Sequence, residues 1–189
     1  MNTTPNVFRT RCQRRCLVGI AAPAIALSLL AGALAAGPAS EALPAPPLAL
    51  PDLNGHTVKL DDYPDCPVGV LFFASWDQYS REQTAILMQL QKEWTNEHWA
   101  VVAISIDPFL TSDPLRRGAS PGGLAKWADQ EHAKFPILLA NQKTIGDWGG
   151  LEGIPTLILT DRQHNIVHRH VGLVDRAVLE SELKKLLGK

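Results

Sequence analysis

Apolar and polar positions follow three rhythms along this chain: unbroken apolar runs, helical spacing, and short runs closed by turn residues. Val68-Gly69-Val70-Leu71-Phe72-Phe73-Ala74 is apolar throughout and lies between Pro67 and a polar stretch, which predicts a central strand buried on both faces. From Thr84 to Trp94, Ile86, Leu87, Leu90 and Trp94 fall at helical spacing, and Ala100 to Ile106 is a second buried strand ending at Asp107. Strand, helix, strand in that order predicts a crossover with parallel pairing.

The next stretch, 107–123, holds three prolines and three glycines and predicts a long surface loop. Gly123 to Ala133 then reads as a helix turning Leu124 and Trp127 inward, and Phe135 to Leu139 as a short strand. Thr156–Thr160 and Ile166–Val171, joined by Asp161-Arg162-Gln163-His164-Asn165, predict an antiparallel hairpin. From Asp175 a terminal helix carries Val178, Leu179, Leu183, Leu186 and Leu187 along one side. Near the start, Asp52-Leu53-Asn54-Gly55 signals a tight hairpin leading into Thr57-Val58-Lys59-Leu60.

The first 36 residues do not belong to this pattern. Arg9, Arg11, Arg14 and Arg15, with no acid among them, precede Leu17 to Ala36, which carries no charge. That order predicts an export signal, with Ala33-Leu34-Ala35 and Pro38-Ala39-Ser40 as small-residue cleavage sites. Retained, the run has the roughly 20 residues that span a bilayer and would serve as an anchor. The expected organisation is a signal peptide or N-terminal membrane anchor over 1–36, a Pro-rich linker over 37–51 and one domain over 52–189. Placement is therefore periplasmic, or on the outer face of the inner membrane, with membrane contact only through an uncleaved N-terminal segment. Four of the 18 basic residues lie in the leader and all 19 acidic residues at or after Glu41, so the exported part is net acidic. That balance argues against nucleic-acid binding, which needs a basic face.

Four segments, in order and spacing, resemble one family. Leu71 to Ser80, LFFASWDQYS, resembles the strand and active-site turn of the TlpA/ResA-like extracytoplasmic thiol-disulfide oxidoreductases, within the AhpC/TSA-type redoxin superfamily. There Phe-x-Ala-Ser-Trp is followed by Cys-x-x-Cys. Gly153-Ile154-Pro155-Thr156 resembles that family's cis-proline loop, Asp161 to Gly172 its closing hairpin, and Asp52 to Leu60 its leading one. The resemblance implies an α/β thioredoxin-like fold: a central mixed β-sheet flanked by helices, with an N-terminal β-hairpin.

At the centre the chain departs from the family. Asp77 and Ser80 stand at the two cysteine positions, and neither side chain can form a disulfide, so the family's redox chemistry does not carry over. In this fold the turn opens a helix, where either residue suits a cap, and Ser80-Arg81-Glu82-Gln83 has the capping-box pattern. Two readings of Pro155 stand. The resemblance implies a loop offering backbone groups to an extended peptide, with Trp76, Tyr79 and Ile154 as an apolar wall. Otherwise Pro155 only fixes a turn.

Of three cysteines, Cys12 and Cys16 fall in the leader, which leaves Cys66 as a half-buried, inert thiol in the exported part, with peroxidatic or dimer-forming chemistry as the other reading. The peroxiredoxin pattern Pro-x-x-x-Thr-x-x-Cys is missing. His164, His168 and His170 could share a strand face; without a cysteine or second ligand cluster they read as solvated, and no metal or cofactor is expected. The functional expectation is an exported polypeptide-binding or assembly protein. Its alternative is a thiol oxidoreductase or antioxidant-type enzyme acting through Cys66 or a partner's thiols, and Asp77 could also serve an unrelated enzyme as a base.

Overall fold

The computed structural model describes residues 43–107 and 121–189. The leader, the first part of the linker and most of the 107–123 loop lie outside the described residues.

Six strands form the main sheet: β1 (Leu43–Pro44), β4 (Val68–Phe73), β5 (Ala100–Ser105), β6 (Ile137–Leu139), β7 (Thr156–Thr160) and β8 (Asn165–Val171). Their order is β1-β8-β7-β4-β5-β6; β4, β5 and β6 are parallel, while β7, β8 and β1 are antiparallel to their neighbours. A separate pair joins β2 (Ala49–Pro51) to β3 (Thr57–Lys59). The helices are α1 (Gln78–Glu93), α2 (Pro121–Gln130), α3 (Gln142–Asp147) and α4 (Arg176–Leu187).

β4 lies between β5 and β7 with every residue buried, so its alternating side chains divide between two cores. Val70 and Phe72 face a cluster with Leu50, Val58, Ile104 and Trp148, under the small hairpin and α3. Leu71 and Phe73 face the other, with Leu87 and Leu90 of α1, Leu124 and Trp127 of α2, and Leu179 and Leu183 of α4. Among the described residues no helix is long and apolar enough to cross a membrane.

Four differences from the sequence reading have physical reasons. α1 begins at Gln78, six residues before its apolar stretch, because its buried stripe opens with the polar Ser80, Gln83 and Thr84 ahead of Leu87 and Leu90. The end of the expected linker is part of the folded unit: Leu43–Pro44 pairs with β8, and Leu48 and Leu50, two apart, are buried. Prolines hid that strand-like spacing. α3 was not expected; Asn141 caps it by accepting from the Thr144 N–H at 2.8 Å, and Ile145 and Trp148 pack on the first core. In α4 the buried stripe is narrower than expected, and Val178 faces outward.

Candidate functional site

Several side chains of the turn after β4 are bonded to the turn's own backbone. Asp77 is the N-cap of α1, its Oδ2 accepting from the Ser80 N–H at 2.7 Å. Ser80 is therefore the third helical residue and not the expected cap. It is fully buried, and its Oγ accepts from the Ala74 N–H at 3.4 Å. The expected capping box does not form either, because Gln83 points inward and its Oε1 accepts from the Val174 N–H at 2.8 Å. Ala74 O accepts from the Asp77 N–H, and Arg81 Nε donates to Ser75 O at 2.9 Å.

Behind the turn lies a buried acid that the sequence marked only as the end of a strand. Asp107, on leaving β5, has its carboxylate fully buried. It accepts from the Ser75 N–H and Oγ–H, each at 3.2 Å, and from the Ser105 Oγ–H at 2.6 Å. A buried carboxylate needs such donors, and here they fix the backbone one residue before Trp76. Ser75 enters the sequence reading only within the family motif, Arg81 only within the capping-box pattern and Ser105 not at all, because nothing in the chain shows which groups these side chains meet in the fold.

The register Phe72↔Thr156 sets the turn and the Gly153–Pro155 loop at the same end of adjacent strands. The Ile154–Pro155 peptide is cis, and Pro155 is buried. Trp76 and Tyr79 are 37% and 57% exposed, and Val171, which the sequence reading did not single out, is exposed beside this loop. A side chain at Gly153 would crowd Val171, since a Cβ there would lie 3.1 Å from Val171 Cγ1. The Pro155 carbonyl accepts from the Gly172 N–H at 2.7 Å, whereas the N–H and C=O of Ile154 have no hydrogen bond among the described residues.

Cys66 lies before β4, away from the turn. It is fully buried, not half-buried. The three histidines separate. His164 sits in the β7–β8 turn with Nε2 3.0 Å from Tyr63 O. His168 and His170, on one face of β8, are instead joined by Glu182 of α4, whose two carboxylate oxygens face one ring each. That second-element ligand was not legible, because the helix register relative to the strand is a tertiary fact.

A mixed sheet of this order, with a helix-opening turn at the end of β4 facing a cis-proline loop, defines the thioredoxin-like class. The profile of the AhpC/TSA family matches residues 42–169, and the chain belongs to that family. It is 27% identical over 139 residues to the thioredoxin-like protein YneN of Bacillus subtilis, covering 74% of this chain and 76% of that one. To the thiol-disulfide oxidoreductase ResA of Bacillus anthracis it is 24% identical over 143 residues, covering 75% and 76%. Among solved structures, a Chlorobium tepidum protein provisionally described as the thiol:disulfide interchange protein DsbE matches with TM-score 0.66 and 29% identity, over 78% of this chain and 97% of that one.

Proposed function

We propose that this chain is an exported thioredoxin-fold protein that holds an extended polypeptide between the Trp76–Tyr79 turn and the Ile154–Pro155 loop and exchanges no electrons there. One observation carries the reading: at the turn where the resemblance places two cysteines, Asp77 caps the helix and the buried Ser80 hydroxyl is bonded back to the Ala74 N–H. The polypeptide half is supported by the main chain. Pro155 has no N–H and its carbonyl is taken, so the groups left for strand addition are those of Ile154, flanked by exposed Trp76, Tyr79 and Val171. Export rests on the arginine-then-apolar leader.

The enzymatic alternative borrows the activity of the relatives and routes it through Cys66. Full burial speaks against a reactive thiol there. Insulin reduction by dithiothreitol tests the electron-free reading in the full chain: the rate should equal the uncatalysed one. Turnover that persists in Cys66→Ala would overturn it. For the binding half, titration with a reduced, alkylated and therefore unfolded test protein should show saturable binding that Trp76→Ala and Tyr79→Ala each weaken about tenfold, an energy of roughly 1.4 kcal/mol. Equal affinity in all three proteins would remove the groove.

A further inference from the structure

On the far side of β8 from the loop contacts of Arg169, two imidazoles and a carboxylate converge. His170 Nε2 lies 2.9 Å from Glu182 Oε2 and His168 Nδ1 lies 3.4 Å from Glu182 Oε1. The two rings are nearly parallel, at 16°, with centroids 6.0 Å apart. One ligand atom from each of the three residues falls within 4.8 Å of the other two. We propose that His168, His170 and Glu182 form a binding site for a divalent transition-metal ion of the zinc type, joining the C-terminal helix to β8.

The donor set selects the ion. Two imidazole nitrogens and one carboxylate oxygen suit zinc and its neighbours, whereas calcium and magnesium want all-oxygen shells. At zinc bond lengths of about 2.0–2.1 Å, tetrahedral ligands sit roughly 3.4 Å from one another. The two contacts are to different oxygens of Glu182, and one ligand atom from each of the three residues lies within 4.8 Å of the others, so closing on an ion takes side-chain adjustments of about an ångström, which a partly exposed His168 and the carboxylate's own rotation allow.

Both sides of the site are held by the fold. His168 and His170 are two apart on a paired strand, opposite Leu159 and Leu157, so both rings leave the same face. Glu182 is carried over them by α4, anchored by the buried Leu179 and Leu183 on either side of it in sequence. Its side chain is only 12% exposed, and among the described residues no Lys or Arg lies within ion-pair distance of it. A largely buried carboxylate whose partners are two histidines calls for a cation. Three protein ligands leave a fourth position for water or a group from a bound partner. The site lies on the main sheet and uses none of the turn residues.

The full chain should bind one equivalent of Zn²⁺ by calorimetry, and its melting temperature should rise with zinc and return with a chelator. His168→Gln, His170→Gln and Glu182→Gln should each weaken binding by about tenfold or more, and the triple variant should lose that equivalent. His56→Gln, at an exposed position, should bind as the wild type does. Nitrogen–proton spectra of the wild-type histidine rings need no variant, and zinc should shift His168 and His170 while leaving His56 in place. Absence of saturable binding, binding that survives the triple variant, or ring shifts confined to other histidines would each overturn the site.

Discussion

Asp77 Oδ2 accepts from the Ser80 N–H at 2.7 Å, so the two residues that the resemblance sets at cysteine positions are bonded to one another. The contact joins the side chain of Asp77 to the main chain of Ser80 and is part of a helix cap. Removing the cap should cost stability. Asp77→Ala is expected to lose about 1 kcal/mol and Asp77→Asn less, since the amide oxygen can still accept. Urea denaturation at neutral pH checks the order, and equal midpoints for all three proteins would show that the side chain caps nothing.

Asp77→Cys together with Ser80→Cys, in a Cys66→Ala background, should restore dithiol chemistry. Three positions apart on a first helical turn, the pair meets the Cα separation of roughly 4.4–6.8 Å that a disulfide requires. A helix N-terminus also lowers the pKa of the first thiol. Thiol counting and insulin reduction should show a closed bond and turnover in the double variant, and neither in the single ones. A folded double variant that stays fully reduced under mild oxidant would mean that the turn does not have the family's geometry.

Asp107→Asn should destabilise by roughly 2 kcal/mol, because an amide places two hydrogens where Ser75 and Ser105 already donate to a carboxylate. Since Ser75 precedes Trp76, the loss should come with a changed Trp76 emission, read against Trp76→Phe. A stable variant with an unchanged spectrum would show that the buried acid does not hold the turn.

At the other edge of the sheet, Arg169 donates from Nη1 to Trp148 O and from Nη2 to Gly150 O, each at 2.7 Å, closing the end of α3. Arg169→Gln cannot span both carbonyls and should cost about 2 kcal/mol in urea denaturation.

Among the described residues, the Glu93–Arg176 pair contributes to the pH dependence. Arg176 donates to Glu93, and that hydrogen bond outweighs an opposing desolvation and, with lesser help from the charges of Arg176 and Lys92, holds the Glu93 carboxyl below its ordinary value of 4.5. A carboxyl whose folded pKa is depressed stabilises the fold above its unfolded value and loses that contribution as pH falls through the folded one. Glu93→Gln should therefore flatten the acid limb of stability while leaving the neutral-to-alkaline trend in place, as followed by urea midpoints across a pH series.

Much of this architecture could be read from the chain. Unbroken apolar runs located β4 and β5 because burial on both faces leaves no polar position to confuse the pattern, and Leu124 and Trp127 lie inward as their spacing implied. The start of α1 could not be read that way. Ser80, Gln83 and Thr84 are buried polar residues, and a hydrophobic pattern treats them as surface. Leu48 and Leu50 were lost among prolines for a different reason: composition outweighed spacing. At the site, the identities of Trp76, Asp77, Tyr79 and Ser80 were legible, but Asp107 and Glu182 were not, because each acts on a residue brought to it from another element.

The division of β4 between two cores has a kinetic consequence. Its amides are paired with β5 on one side and β7 on the other, and its faces are sealed by different sets of helices and loops. Solvent can reach the Val70 to Phe72 amides only by an opening that dismantles both cores at once, so their deuterium uptake should follow global unfolding. Asp77 lies four residues beyond Phe73, the last residue of that strand, and its turn is thus carried by a segment expected to exchange only on global unfolding. Tyr79, exposed on the first turn of α1, belongs instead to a region that can fray without disturbing it.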